Sequence, residues 1–338
     1  MENDKRVRIA DIAEELGVST ATVSNVIHGK TKKISDRTVQ RVSELLEERQ
    51  YIPSMAGILL AQNDSRIIGI VINDHEKYES HALEDVFIAA SLNCLSAEIE
   101  KSGFFMMVKV TEDINEIVRF ASMWNMEGLI LMGFCRQDYK KLRGLMRIPF
   151  VVYDGYFPEA GRVCNFAIDD YDGGFQMGNY FKSMGHKKVL CLADNDICMD
   201  RQRRLGFLAA MGKTDFWLVP MTAEGRKKFY LERLRELMEY TAVFAVSDYY
   251  AIELISFLQE RGIKVPEEIS VAGFDDCPLS GKIYPALTTI RQDGKRRAEM
   301  AVAVLRKLKA GDTKSEGKTY TLPVELVRRQ SVKAVNET

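Results

Sequence analysis

Residues 9–27 read Ile9-Ala10-Asp11-Ile12-Ala13-Glu14-Glu15-Leu16-Gly17-Val18-Ser19-Thr20-Ala21-Thr22-Val23-Ser24-Asn25-Val26-Ile27. Ile9, Ile12, Ala13 and Leu16 fall at i, i+3, i+4 and i+7, one apolar stripe on a helix. Gly17 stops that helix, because glycine takes the positive φ of a sharp turn at little cost. Ser19 offers an N-cap oxygen to a second helix, whose apolar face is Val23, Val26 and Ile27. A third helix starts after Ser35, sets Asp36 against its dipole, and buries Val39, Val42, Leu45 and Leu46. Two short helices joined by a Gly-Val turn and followed by a third form a helix-turn-helix. Pro53 ends the pattern, and residues 54–61 have the length of one more short helix.

The texture changes at Arg66. Apolar runs at Ile67–Ile72, Phe104–Val110, Gly128–Leu131 and Phe150–Tyr153 alternate with helical patterns. Val189–Leu192, Phe216–Val219, Ala242–Val246 and Ser270–Phe274 continue the series. Continuous apolar strands with helices between them predict parallel sheets covered on both faces. Eight strands over so long a stretch fit two open α/β lobes better than one. The fold expected is therefore α/β, with an all-α helix-turn-helix headpiece in front.

The 338 residues allow two or three domains, and 46% hydrophobic content excludes a disordered chain. A net charge of −1 gives no global sign of a nucleic-acid partner. The local count differs: residues 28–41 hold Lys30, Lys32, Lys33, Arg37 and Arg41 against Asp36 alone, a balance of +4. Phosphate binding needs cations on one face, and no net charge over the chain. The six cysteines form no C-x-x-C pair and the four histidines do not cluster with them, so neither a metal site nor a disulfide framework is expected. No apolar h-region follows Met1, and no window approaches about 18 apolar residues. A cytoplasmic chain with no membrane segment and no cofactor is the expectation. Gly206…Gly212-Lys213-Thr214 and Gly311…Gly317-Lys318-Thr319 evoke a phosphate-binding loop, but each has five residues between its glycines where that loop needs four. No enzyme is expected; an α/β enzyme and a transporter's solute-binding protein are the rival readings.

Several motifs carry a resemblance. Val7-Arg8-Ile9-Ala10-Asp11-Ile12-Ala13, Gly17 to Ser24, and Gln50-Tyr51-Ile52-Pro53 come first. Asp169-Asp170 with Gly173-Gly174, Gly185-His186-Lys187-Lys188, and Arg203 with Gly206-Phe207 follow in order. Val265 to Val271, Gly273-Phe274-Asp275-Asp276 and Pro285 to Ile290 complete the set. In this series the chain resembles the lac/galactose repressor family of transcription regulators. The resemblance implies a headpiece at residues 1–53, a hinge helix and linker at 54–65, and a two-lobed, periplasmic-binding-protein-like core at 66–333. Its first lobe would take residues 66–166 and 292–320, and its second 167–291 and 321–333.

The same resemblance implies site residues. Thr20, Ala21 and Asn25 would read base edges in the major groove. Arg8, Ser19, Thr22, Ser24, His28, Lys33, Ser35 and Tyr51 would contact phosphate or support the headpiece. Ser54, Gly57, Leu60 and Ala61 would form the hinge, with Leu60 wedged into the minor groove. Gly57 stands where the family favours alanine, at a cost of about 0.5–1 kcal/mol of helix propensity. Phe87, Asp154, Arg203, Ser247 and Asp275 would line an effector cleft, with a carbohydrate the favoured ligand class. The family's Asn-Pro-Phe stretch is absent after the first strand, and eight extra residues, His75 to Ala82, stand there instead. The partners implied are double-stranded operator DNA, a small effector and a second copy of the chain.

Asn25 departs from the family's usual arginine. Arginine pairs bidentately with guanine, whereas asparagine favours adenine. Operator selection on the wild type and Asn25→Arg is expected to return different preferred half-sites; identical half-sites would refute Asn25 as a base reader.

Overall fold

The structure, a computed structural model, describes residues 7–52, 65–134, 136–156 and 163–335. The expected hinge residues Ser54, Gly57, Leu60 and Ala61 lie outside the described residues. The chain divides into two compact units, Met1–Ser65 and Arg66–Thr338.

In the first unit, α1 spans Ile9–Leu16, α2 Thr20–Ile27 and α3 Asp36–Glu48. Gly17 sits at φ +65°, the left-handed conformation that the turn requires. Ser19 accepts the Thr22 backbone N–H at 3.1 Å, and Ser35 accepts that of Thr38 at 3.3 Å. Arg8 provides no capping oxygen to α1; instead Asp11 Oδ2 accepts the Arg8 backbone N–H at 2.7 Å. Ile12, Ala13, Val23, Val42 and Leu45 form the buried centre of this unit.

The second unit holds two parallel sheets. The first comprises β1 (Ile67–Ile72), β2 (Phe105–Val110), β3 (Gly128–Met132), β4 (Phe150–Tyr153), β5 (Cys164–Ile168) and β11 (Thr319–Leu322), in the order β11-β5-β4-β3-β1-β2. The second comprises β6 (Val189–Ala193), β7 (Asp215–Leu218), β8 (Ala242–Ala245) and β9 (Ser270–Ala272), in the order β7-β6-β8-β9. An antiparallel ribbon pairs β10 (Thr289–Gln292) with β12 (Val324–Val327). The helices of this unit are α4 (Val86–Lys101), α5 (Ile114–Met123), α6 (Arg136–Leu145), α7 (Asp170–Ser183), α8 (Cys198–Met211), α9 (Ala223–Glu232), α10 (Leu234–Leu237), α11 (Asp248–Gln259) and α12 (Gly294–Lys309). Ile68, Ile70, Ile130, Val151 and Phe166 pack with α4 and α12 on one face of the first sheet. Val71, Leu129, Leu131 and Val152 pack with α5 and α6 on the other. Strands covered on both faces explain the unbroken apolar runs. Among the described residues, no helix is long and apolar enough to cross a membrane.

Helices α7 and α8 cross at glycines. A Cβ on Gly174 would lie 1.9 Å from the Arg203 carbonyl oxygen, and one on Gly206 would lie 1.9 Å from that of Tyr171. This close approach brings Asp170 and Arg203 side by side. Gly206→Ala is expected to destabilise the fold by about 1–3 kcal/mol through overpacking. Gly144→Ala, in open space on α6, is expected to stabilise by about 0.5–1 kcal/mol. Urea unfolding of both variants checks the contrast; equal midpoints would contradict it.

Candidate nucleic-acid interface and ligand cleft

On α2 the apolar residues turn inward and the remaining face is open. Thr20, Ala21 and Asn25 are exposed, while Thr22 and Ser24 are half-buried. Ser19 and Ser35 serve as caps. Lys30, Lys32, Lys33, Arg37 and Arg41 are all exposed, as is Arg8, whereas His28 and Tyr51 are half-buried. The acids are disposed differently: Glu15 pairs with Arg49 at 2.8 Å, and Glu44 accepts from Gln40 at 2.9 Å. The headpiece is thus polarised although its charges nearly balance.

In the second unit, the ends of four strands converge on charged groups. Arg203 is buried on α8. Its Nε donates to Asp170 Oδ1 at 2.8 Å, its Nη1 donates to the Val246 carbonyl at 2.8 Å, and Asp275 Oδ1 lies 3.5 Å from Nη1. Its guanidinium carbon stands 3.8 Å from the centre of the Phe274 ring. Burial lowers its affinity for a proton, but Asp170, Asp275, Asp200 and Asp154 outweigh this and hold it charged. Burial pushes the Asp170 and Asp275 carboxyls up, and Arg203 pulls both back.

Asp275 follows β9 with φ +126°, and Asp276 has φ +52°. Such backbone is strained for a residue with a side chain and persists only when neighbours over-determine it. The Asp275 N–H donates to the Ile290 carbonyl at 2.8 Å, and Asp276 pairs with Arg291 at 2.7 Å and Arg329 at 2.5 Å. Buried Asp248 accepts from Ser280 and Thr289, both at 2.5 Å, and from the Cys277 N–H at 2.9 Å, pinning the same loop.

Asp154, at φ +63° beyond β4, accepts from Arg297 Nη1 at 2.9 Å. Phe87 is half-buried, its ring centre 6.0 Å from the Arg297 guanidinium carbon. Ser247 is the N-cap residue of α11 and makes no side-chain cap bond. Arg203 and Asp275 therefore meet directly, while Asp154 and Phe87 gather around a different arginine. The insertion His75 to Ala82 contains a short 3-10 turn, Glu76–Tyr78, and Lys77 lies 5.0 Å from the Tyr78 ring centre. Burial disfavours the Lys77 charge, but Tyr78, Asp200, Asp194 and Asp85 outweigh it and raise its pKa.

Asp170, Gln292, Arg297 and Lys77 were not anticipated as site residues. Arg297 had a readable signal. It stands four residues before Ala301 and eight before Leu305, both buried, so helical register places it on the covered face of α12. The run Lys295-Arg296-Arg297 disguises this as a solvated patch.

A profile of bacterial regulatory proteins of the lacI family matches residues 8–54, and one of periplasmic binding protein-like domains matches 179–332. The chain therefore carries a lacI-family DNA-binding domain followed by a periplasmic-binding-protein-like domain. The HTH-type transcriptional repressor PurR of Vibrio atlanticus is similar, at 28% identity, with 97% of this chain and 99% of the relative covered. The lac repressor dimer bound to operator and the anti-inducer ONPF matches with a TM-score of 0.82 over 98% of this chain and 100% of that one, at 23% identity. A transcriptional regulator, CelR, in complex with cellobiose matches at 0.69 over 96% and 100%, at 20% identity. At these identities the two solved structures establish the shared fold.

Removing Arg203 leaves two buried carboxyls without their cation. A carboxyl whose folded pKa is raised stabilises the fold at low pH and loses that contribution as pH rises through the folded value. Without Arg203 both pKa values rise further. Arg203→Leu is therefore expected to destabilise the core by about 3–5 kcal/mol at pH 8, and by less at pH 5. Urea unfolding at the two pH values decides; a loss independent of pH would contradict the charge argument.

Proposed function

We propose that the chain is a transcription repressor that binds a pseudo-palindromic operator as a homodimer, with affinity set by a carbohydrate-like effector in the interlobe cleft. The observation that carries the reading is α2. Its exposed face presents Thr20, Ala21 and Asn25. The exposed cations of residues 30–41 follow it in the chain. Base edges are read by short polar side chains on such a helix, while lysines and arginines fix its register on phosphate. A two-fold protein matches two-fold DNA, and pairing two modest patches supplies affinity that one lacks. The PurR relatives are named transcriptional repressors, which supports repression.

The effector reading rests on the cleft. Asp275 offers carboxylate oxygen to ligand hydroxyls, and Arg203 offers guanidinium donors in a fixed plane. The cellobiose complex of a similar regulator favours a sugar. A ligand that binds the two lobe arrangements unequally shifts their populations and thereby operator affinity. The hinge at residues 54–61 would carry that shift to the DNA.

Genomic operator selection followed by a mobility-shift assay tests the DNA function. A palindromic site bound by two copies is expected, and Lys33→Ala should weaken it uniformly across sequences and flatten its salt dependence. Recovery of no specific site would reject the regulator reading. A thermal-shift screen of monosaccharides and disaccharides identifies the effector by a raised midpoint.

A further inference from the structure

Gln292 ends β10, where the chain leaves the ribbon for α12. Its amide is bonded at both ends. Nε2 donates to Asp275 Oδ1 at 2.5 Å, and Oε1 accepts from Arg297 Nη2. Arg297 also donates to Asp154, while Asp275 faces Arg203, which holds Asp170. The result is an unbroken chain: Asp170, Arg203, Asp275, Gln292, Arg297, Asp154. Its first three members belong to elements around the four-stranded sheet. Its last two lie on α12, which packs on the six-stranded sheet, and just beyond β4 of that sheet.

The bridge has a chemical requirement. It must donate to an anion on one side and accept from a cation on the other. A carboxamide does both; a carboxylate has no donor and an ammonium has no acceptor. The orientation of the amide is therefore fixed by its neighbours. A second bond between the lobes, from Gln202 Nε2 to the Tyr156 hydroxyl at 3.1 Å, joins neutral groups only.

We propose that Gln292 is a positioning residue that couples the two lobes, holding the cleft carboxylate Asp275 and the buried Arg297 guanidinium in one network. The role of Asp275 toward ligand rests on the function proposed above. When a ligand hydroxyl takes Asp275 Oδ1, it displaces the Gln292 amide. Arg297 then loses the fixed orientation of its acceptor. Among the described residues its Nε already has no hydrogen-bond partner, and the side chain is buried away from water. An under-bonded buried cation is costly, so the first lobe relaxes around it. Occupancy in one lobe is thus felt in the other.

Electron–electron resonance between nitroxides on keto-bearing residues introduced at Met123 and Leu231 reads the interlobe distance in the full, ligand-free chain. Both positions are exposed, on α5 and α9. Gln292→Met keeps the size and removes both bonds; Gln292→Glu keeps the acceptor and sets a second carboxylate against Asp275. Both are expected to shift and broaden the distance distribution. The control is Gln176→Met. Gln176 donates to Asp172 at 2.6 Å and accepts the Leu326 N–H at 3.1 Å, tying α7 to β12. It is expected to lower the thermal midpoint while leaving the distribution as in the wild type. Wild-type distributions in both Gln292 variants, or equal broadening in Gln176→Met, would overturn the proposal. Neither DNA nor effector enters the measurement, so its outcome is separable from that of the regulator reading.

Discussion

The core is organised around a cation taken out of water. Stripping an arginine of its hydration costs several kcal/mol, and only well-placed anions and acceptors offset it. Arg203 receives these from Asp170 on the neighbouring helix, from the Val246 carbonyl at the end of β8, and from Asp275 beyond β9. The helix partner is available because Gly174 and Gly206 let α7 and α8 touch backbone to backbone. The strand-end partner is available because Asp248, Arg291 and Arg329 hold the loop in a strained conformation. Packing, strain and charge are therefore parts of one arrangement.

The headpiece solves a different problem with little charge. Its acids lie among its own helices, one of them bonded to Arg49. Its cations Lys30, Lys32, Lys33, Arg37 and Arg41 are exposed on the loop and helix that follow α2. DNA responds to the local field within about one Debye length, roughly 8–10 Å, and not to the net charge of a chain. A neutral protein can thus present a cationic face.

Much of the fold was legible because central strands are covered on both faces. Ile67–Ile72 and Phe150–Tyr153 stand where their apolar runs predicted. Of the four strands not foreseen, Thr319–Leu322 lies at a sheet edge, Thr289–Gln292 and Val324–Val327 form the ribbon, and Cys164–Ile168 is an inner strand whose apolar run is broken by Asn165. Thr319–Leu322 borders its sheet and alternates polar with apolar residues, and Thr289–Gln292 carries Arg291 and Gln292. Such segments lack the continuous hydrophobicity that marks a buried strand. The site divided in the same way. Arg203 and Asp275 stood out through motifs of the resemblance. The partner of Asp154 did not, because Arg297 lies 143 residues away and only the folded sheet brings them together. The link between the two arginine clusters, Gln292, has no charge and no motif.

The central claim is that the cleft and the DNA-reading helix act as one device. The most direct measurement is the operator affinity of Asp275→Asn against the wild type, by fluorescence anisotropy at concentrations where both are dimers. The headpiece residues are untouched by this substitution. The account predicts a several-fold change in operator affinity with the same preferred sequence. Equal affinities would show that the cleft does not govern DNA binding and would contradict the account.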